Sequence, residues 1–236
     1  MYRVKVSPLY LKARETLINL IRQAPSGSNR LPSEEELIHT MGVSRSTVRE
    51  ALLALSHEGI ISKRQGLGNF FHRSALEYPM RVDLVYDFVE LLQRAGYTVE
   101  VRQSQFSYKT APEGIGEGEF LDVTWIYLAD GKPAIWADMF IPCVRIKKVP
   151  DPDSIERSLP EFLHKYCGEK TVQSVAKMDA VLPSPTIAET FNIPLTRPVI
   201  RWDEVYFNLT DEKIAFCKVF FNPNIVSLSM IRKDLH

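Results

Sequence analysis

LPSEEELIHTMGVSRSTVRE, residues 31–50, decides how this chain of 236 residues is read. Ser33 followed by Glu36 has the spacing of a capping box, which starts a helix running to about Met41. Gly42 and Val43 make a tight turn, and Ser44 is the next N-cap. The helix after it turns Val48, Ala51, Leu52 and Leu55 inward. Arg45 and Arg49, four residues apart, share another face beside Ser46 and Thr47. Main-chain N–H groups and the positive dipole end at such a helix mouth suit a phosphate, and Arg there can reach base edges. The arrangement points to double-stranded DNA. An ordinary three-helix packing unit explains the inward residues but not the cluster of arginines and hydroxyls.

Working outward, Leu9 to about Gln23 is an amphipathic helix with Ala13, Leu17, Leu20 and Ile21 at helical spacing. Ala24–Asn29 is a loop. Downstream, Gly59 ends the third helix. Ile60–Arg64 and Phe70-Phe71 read as paired strands around Gln65–Asn69. Three helices and a hairpin make a winged helix-turn-helix, whose wing carries Lys63 and Arg64 next to a glycine-rich tip. The expected DNA contacts are Arg30, Ser33, Ser44, Arg45, Ser46, Thr47, Arg49, Gln65 and Gly66.

The expected fold class is α+β in two domains. The winged helix-turn-helix occupies 1–73, a linker without clear period 74–80, and an antiparallel-sheet domain with helices 81–236. In the latter, Val85, Phe88, Val89 and Leu92 give a helix stopping at Gly96, and Thr98–Tyr108 alternates like a strand. Phe120–Leu128 and Ala134–Ile141 form a hairpin about Asp130-Gly131. A helix capped by Ser158 runs to about Cys167, and Thr171–Leu182 is a strand. A short helix opens at Ser184-Pro185, and Val199–Phe207 pairs with Ile214–Phe221.

Composition agrees with this division. Residues 1–73 hold 11 Lys and Arg against 6 Asp and Glu, and the remainder 18 against 23. Only the first part is suited to a polyanion. No apolar run approaches the roughly 20 residues that span a bilayer, and no secretory signal is visible. Cys143, Cys167 and Cys217 match no zinc spacing and cannot all pair, which fits a reduced, cytoplasmic setting. No metal set and no cofactor is expected.

Residues 8–71 resemble the GntR-type winged-helix regulators. The match rests on PLY at 8–10, LPSE at 31–34, GVSRSTVREAL at 42–52, EGII at 58–61 and QGLGNFF at 65–71. The second domain is similar to the effector-binding (UTRA) domain of the HutC-like branch, which shares its fold with chorismate lyase. That match rests on ADGKP at 129–133, FIP at 140–142 and the order of elements from 154 to 222. The resemblance implies a homodimer on a palindromic operator, acting as a repressor released by a small metabolite. It implies base or phosphate contacts for Arg45, Ser46, Thr47 and Arg49, and minor-groove entry of the wing at Gly66.

The chain departs from the family at positions that matter. Many relatives have LPSER, with the arginine touching DNA; here the residue is Glu35, which should repel phosphate or point elsewhere. HutC-like relatives often carry Arg-x-Arg before the ADG turn to hold an anionic effector, and here those positions are Trp125 and Tyr127. A third common arginine is replaced by Asn222. Strand alternation puts Val123, Trp125 and Tyr127 on one face, as it does Trp136, Asp138 and Phe140, and Trp202, Glu204 and Tyr206. A box of Trp125, Tyr127, Trp136, Asp138, Glu204 and Tyr206 suits a cationic effector through cation–π attraction and charge pairing, or an apolar aromatic one. Lys218 would pair with Glu204 if their strands are neighbours. The opposing reading is that these aromatics are strand residues filling a core.

The reading that follows is a metabolite-responsive, sequence-specific DNA-binding regulator and not an enzyme. Two alternatives stay open. One is a chorismate-lyase-like enzyme, although no nucleophile with a nearby base is visible. The other is a DNA-binding protein whose second domain only dimerises.

Overall fold

The computed structural model describes residues 8–84, 87–110, 115, 117–152, 156 and 158–232. Contacts divide the chain into two compact units, Met1–Leu84 with Ser229–His236, and Val85–Leu228. Among the described residues, no helix is long and apolar enough to cross a membrane.

In the first unit, α1 (Leu9–Gln23), α2 (Glu34–Met41) and α3 (Arg45–His57) precede a hairpin of β1 (Ile61–Arg64) and β2 (Gly68–Phe71). The capping signals act as the sequence predicts. Ser33 Oγ accepts the Glu36 N–H while Glu36 returns to the Ser33 N–H, and Ser44 Oγ accepts the Thr47 N–H. Gly42 ends α2 in the left-handed region at φ +63°, which glycine enters without a Cβ clash. Leu17, Ile21, Leu37, Val48 and Leu55 close the core from the three helices, with Ile61 and Phe71 from the hairpin. Each such side chain contributes on the order of 1.5–3 kcal/mol by leaving water. Arg14 of α1 grips the Glu58 carboxylate just beyond α3 through Nε and Nη2, at 2.8 and 2.6 Å.

The expected linker is ordered into this unit. Arg73–Leu76 forms a 3-10 turn, and Ala75 joins the core. Met80 accepts the Ser229 N–H at 2.9 Å, and Val82 donates to the Ser229 carbonyl at 2.8 Å. The chain therefore returns to the first unit at its carboxyl end, a long-range pairing that no local period reveals.

The second unit is a six-stranded antiparallel sheet of order β3-β4-β5-β8-β7-β6. Its strands are β3 (Val99–Thr110), β4 (Glu119–Ala129), β5 (Lys132–Pro142), β6 (Gln173–Val181), β7 (Val199–Phe207) and β8 (Lys213–Phe221). Asp130 and Gly131 turn the β4–β5 hairpin with φ of +48° and +77°, the left-handed pair that matches strand twist. Among the described residues, three α-helices complete the unit: α4 (Phe88–Arg94), α5 (Leu159–Phe162) and α6 (Pro185–Phe191). Val85, expected to begin α4, lies outside the described residues. The helix opened by Ser158 widens after Phe162 into a π-helical turn, Leu163–Cys167.

The sheet is covered on two faces. On the front, Phe88 of α4 meets Tyr127, Trp202 and Phe221 edge-on, and Phe162 of α5 meets Trp125. On the back, Ile187, Ala188 and Phe191 of α6 pack on Trp136, Val199 and Phe220. Asn222 is part of this scaffold. Its amide donates to the carbonyls of Pro133 and Phe191, at 2.8 and 3.3 Å, and its N–H to that of Ala134.

Candidate functional sites: a basic reading face and an aromatic cavity

The first candidate site gathers at the amino end of α3 and the hairpin tip. Ser44, Arg45, Ser46, Arg49, Gln65 and Gly66 are exposed, as are Arg30 and Ser33. Ser44 Oγ lies 2.8 Å from both Ser46 Oγ and Thr47 Oγ1, so these hydroxyls form one cluster over the first turn of α3. Ser33 and Ser44 both act as caps, roles that hold the helices whatever else they touch. Arg30 bridges to Phe70 of β2, and its guanidinium lies over Gly68. Gly66, at φ +74° with open space where a Cβ would project, lets the tip be narrow.

The acidic first turn of α2 changes the electrostatics of this face. Arg49 Nε donates to Glu34 Oε2 at 2.7 Å, and Lys63 Nζ of the hairpin stands 3.6 Å from the other oxygen of Glu34. Hydrogen bonding from Arg49 holds the Glu34 carboxyl below the usual carboxylate range, against partial burial. Glu35 points at the same surface, with Oε1 3.7 Å from Arg45 Nη2. Arg45 and Arg49 thus each have a carboxylate of α2 within reach. Sequence reasoning caught Glu35 as a charge out of place but missed Glu34, whose role depends on a hairpin cation 29 positions away in the chain.

The second candidate site is a cavity of about 540 Å³ on the front of the sheet, inside the second unit. Phe88, Tyr127, Trp202 and Tyr206 supply aromatic wall, and Asp87 and Glu204 supply carboxylates. Among the described residues lining it there is no Lys, Arg or His. Glu204 is 8% exposed and accepts the Tyr206 hydroxyl at 2.8 Å. Burial pushes its carboxyl above the ordinary range, opposed by hydrogen bonds from Ser174 and Tyr206. Burial likewise raises the Tyr127 and Tyr206 hydroxyls. Two lining residues carry polar atoms that are buried and unmatched, Trp202 Nε1 and Thr171 Oγ1. A buried donor without a partner is costly, and a ligand that accepts from it recovers that cost.

Strand register divides the expected aromatic box. Glu204 lies opposite Cys217 and Met139 opposite Cys217, so these residues and Tyr206 share the front face with Tyr127. Trp136, Asp138 and Lys218 fall on the back. There Asp138 Oδ1 accepts from Trp136 Nε1 and Thr124 Oγ1, both at 2.7 Å, and Trp136 packs on the α6 cluster. Lys218 stands opposite Asp138 and Asp203, not Glu204. Trp125 is on the front but 1% exposed, with Nε1 3.4 Å from Gln103 Oε1 and its ring against Phe162. Of the seven expected residues, Tyr127, Glu204 and Tyr206 line the cavity. Trp136, Asp138 and Lys218 do not, because alternation within a strand leaves the register between strands open, and Trp125 does not because Phe162 covers it. Phe88, Asp87 and Thr171 were missed, since they reach the cavity from α4 and the approach to β6.

Comparison with known proteins follows the same two-part division. Residues 9–71 match the model described as bacterial regulatory proteins, gntR family, and residues 115–227 match the UTRA domain. The chain is 23% identical over 233 residues, 95% of each chain, to the probable fructoselysine utilization operon transcriptional repressor of Escherichia coli (strain K12). The possible transcriptional regulator YydK from Bacillus subtilis superposes with a TM-score of 0.72 at 15% identity, over 95% of this chain and 99% of that one. PhnF from Mycobacterium smegmatis does so with a TM-score of 0.58 at 20% identity, over 94% and 99%.

Proposed function

The chain is a regulator of the gntR family with a UTRA domain, and on that premise we propose that it is a dimeric repressor whose effector is an organic cation. Phosphate neutralisation by the reading face supplies most of the affinity for DNA, and Arg45 with its neighbours supplies the choice of sequence. A homodimer presents two such faces to a palindrome. A DNA partner places the protein in the cytoplasm. The comparisons lend the enzyme alternative no support: the similar proteins are named as transcriptional regulators.

One observation carries the effector class. Glu204 is a buried carboxylate in an aromatic cavity, and no described lining residue offers it a cationic partner. A phosphate or carboxylate effector would meet like charge there. An ammonium group would complete an ion pair, with cation–π attraction from Trp202, Tyr127 or Phe88. The unmatched Trp202 Nε1 provides a donor for a hydroxyl or carbonyl oxygen elsewhere on the same ligand. Fructoselysine, whose utilization operon gives one similar repressor its name, carries an amino group and belongs in the test panel.

Effector control requires different effector affinities in the DNA-competent and DNA-incompetent arrangements of the dimer. The effector class is tested by thermal shift of the intact protein against fructoselysine, quaternary amines, amino sugars, phosphosugars, carboxylates and neutral aromatics. A ligand at 100 times its Kd adds about 2.7 kcal/mol. Stabilisation by amines, lost in Glu204→Gln, supports the reading. Stabilisation by phosphosugars alone overturns it.

A further inference from the structure

Ser229–Ile231, beyond the effector-binding sheet, have no part in either site, yet they are bonded into the first unit. Ser229 donates its N–H to the Met80 carbonyl at 2.9 Å and its hydroxyl to the same oxygen at 3.2 Å. It accepts the Val82 N–H at 2.8 Å, forming a parallel bridge opposite Arg81. Arg81 is 3% exposed, a burial that a guanidinium tolerates only when its donors are matched. Its Nε and Nη2 donate to the two oxygens of Asp83, and its Nη1 donates to the carbonyl of Glu58. Asp83 in turn accepts the N–H of Ile231, whose side chain packs on the helical core.

Glu58 is the C-cap of α3 and the residue whose carboxylate Arg14 grips. The chain of bonds therefore runs from the carboxyl-terminal segment through Asp83 and Arg81 to the end of the reading helix, and on to α1. A linker that only spaced two domains would not need a buried guanidinium on that carbonyl.

We propose that Ser229–Ile231 and Met80–Asp83 form a clasp that positions the reading helix. The chain then leaves the first unit after Leu84 and re-enters it at Ser229, with both crossings fastened to the same helix end. Arg81 is a positioning residue: buried, it acts through α3. Holding that helix end fixes how α3 stands against α1 and the hairpin, and on the reading above this sets how strictly the bases under the helix are chosen.

The test uses the full chain with Ser229→Pro, which removes the donor to Met80, and with Arg81→Lys, which keeps the charge but not the planar fork. Operators selected from randomised duplexes are re-synthesised with single base-pair changes in one half-site. The wild type is expected to discriminate against them at least tenfold. Both variants should bind non-specific duplex as the wild type does while losing most of that discrimination. Unchanged discrimination in the variants overturns the proposal, as does a wild type indifferent to the changes. Failure to bind any duplex would instead sink the DNA-binding reading. Should the variants not fold, hydrogen exchange on the wild type decides. The Ser229 and Val82 amides should exchange as slowly as that of Glu58, and exchange at the rate of open chain overturns the clasp.

Discussion

Glu34 joins the reading helix to the wing: Arg49 Nε donates to its Oε2 at 2.7 Å, and Lys63 Nζ lies 3.6 Å from its Oε1. One carboxylate on α2 thus orders two cations from different elements, aiming them together while lowering the charge each shows to solvent. Glu34→Ala should raise affinity for non-specific duplex, because two cations are released, and lower the ratio of operator to non-specific affinity by about tenfold, because Arg49 loses its orientation. Fluorescence anisotropy on both duplexes measures the ratio; an unchanged ratio shows that Glu34 orients nothing.

Arg45 is the residue proposed to carry the sequence choice. Its replacement by Ala should cost roughly 1–3 kcal/mol on the operator and relax preference at one base position. A uniform loss on all sequences, with a shallower salt dependence, would make it a phosphate contact.

Glu35 stands beside Arg45 with its side chain 82% exposed. An exposed pair of this kind contributes little to folding. Glu35→Ala should leave thermal stability nearly unchanged and strengthen binding to non-specific DNA at low salt. Weaker binding in the variant would show that the carboxylate makes a favourable contact of its own.

Gly66 sets the wing tip. At φ +74° a side chain is strained by about 1–2 kcal/mol even though space is open around it. Gly66→Ala should lower Tm modestly and weaken operator binding more than non-specific binding, as the tip re-forms in another conformation. Equal weakening on both duplexes would remove the wing from sequence selection.

Glu204 gives the cavity a pH signature. Its folded carboxyl titrates above the ordinary range because of burial. The unfolded chain therefore ionises first as pH rises, and stability is lost through the window from about pH 4 up to the raised folded value. Glu204→Gln should match the wild type below that window and exceed its Tm at neutral pH. Amine binding should strengthen over the same window, as the carboxylate becomes charged. Parallel Tm curves for the two proteins would show that burial of Glu204 carries no penalty.

Much of this was legible from residue types alone. Ser33 with Glu36, Ser44 with Thr47, and Asp130-Gly131 are local signals, and local backbone chemistry makes each of them work within four residues. Arg45, Ser46, Thr47, Arg49, Gln65 and Gly66 could be grouped from the sequence because they lie on one helix and one hairpin tip, whereas Arg30 and Ser33 precede α2. The cavity was half legible. Alternation found Tyr127, Glu204 and Tyr206, but whether Trp136 and Lys218 join them depends on register across four strands, which no single segment encodes. Phe88 was legible as a helix residue and not as a cavity wall. The pairing of Met80 with Ser229 was not legible at all, because 149 positions separate them and neither segment has a strand period.

Regulation by this mechanism requires coupling between a cation in the cavity and DNA on the reading face. The decisive experiment is operator affinity of the intact protein, with and without a saturating amine that stabilises it in thermal shift, for wild type and Glu204→Gln. The amine is expected to weaken wild-type binding severalfold or more and to leave the variant unaffected. Equal operator affinity with and without the bound amine would refute the coupling.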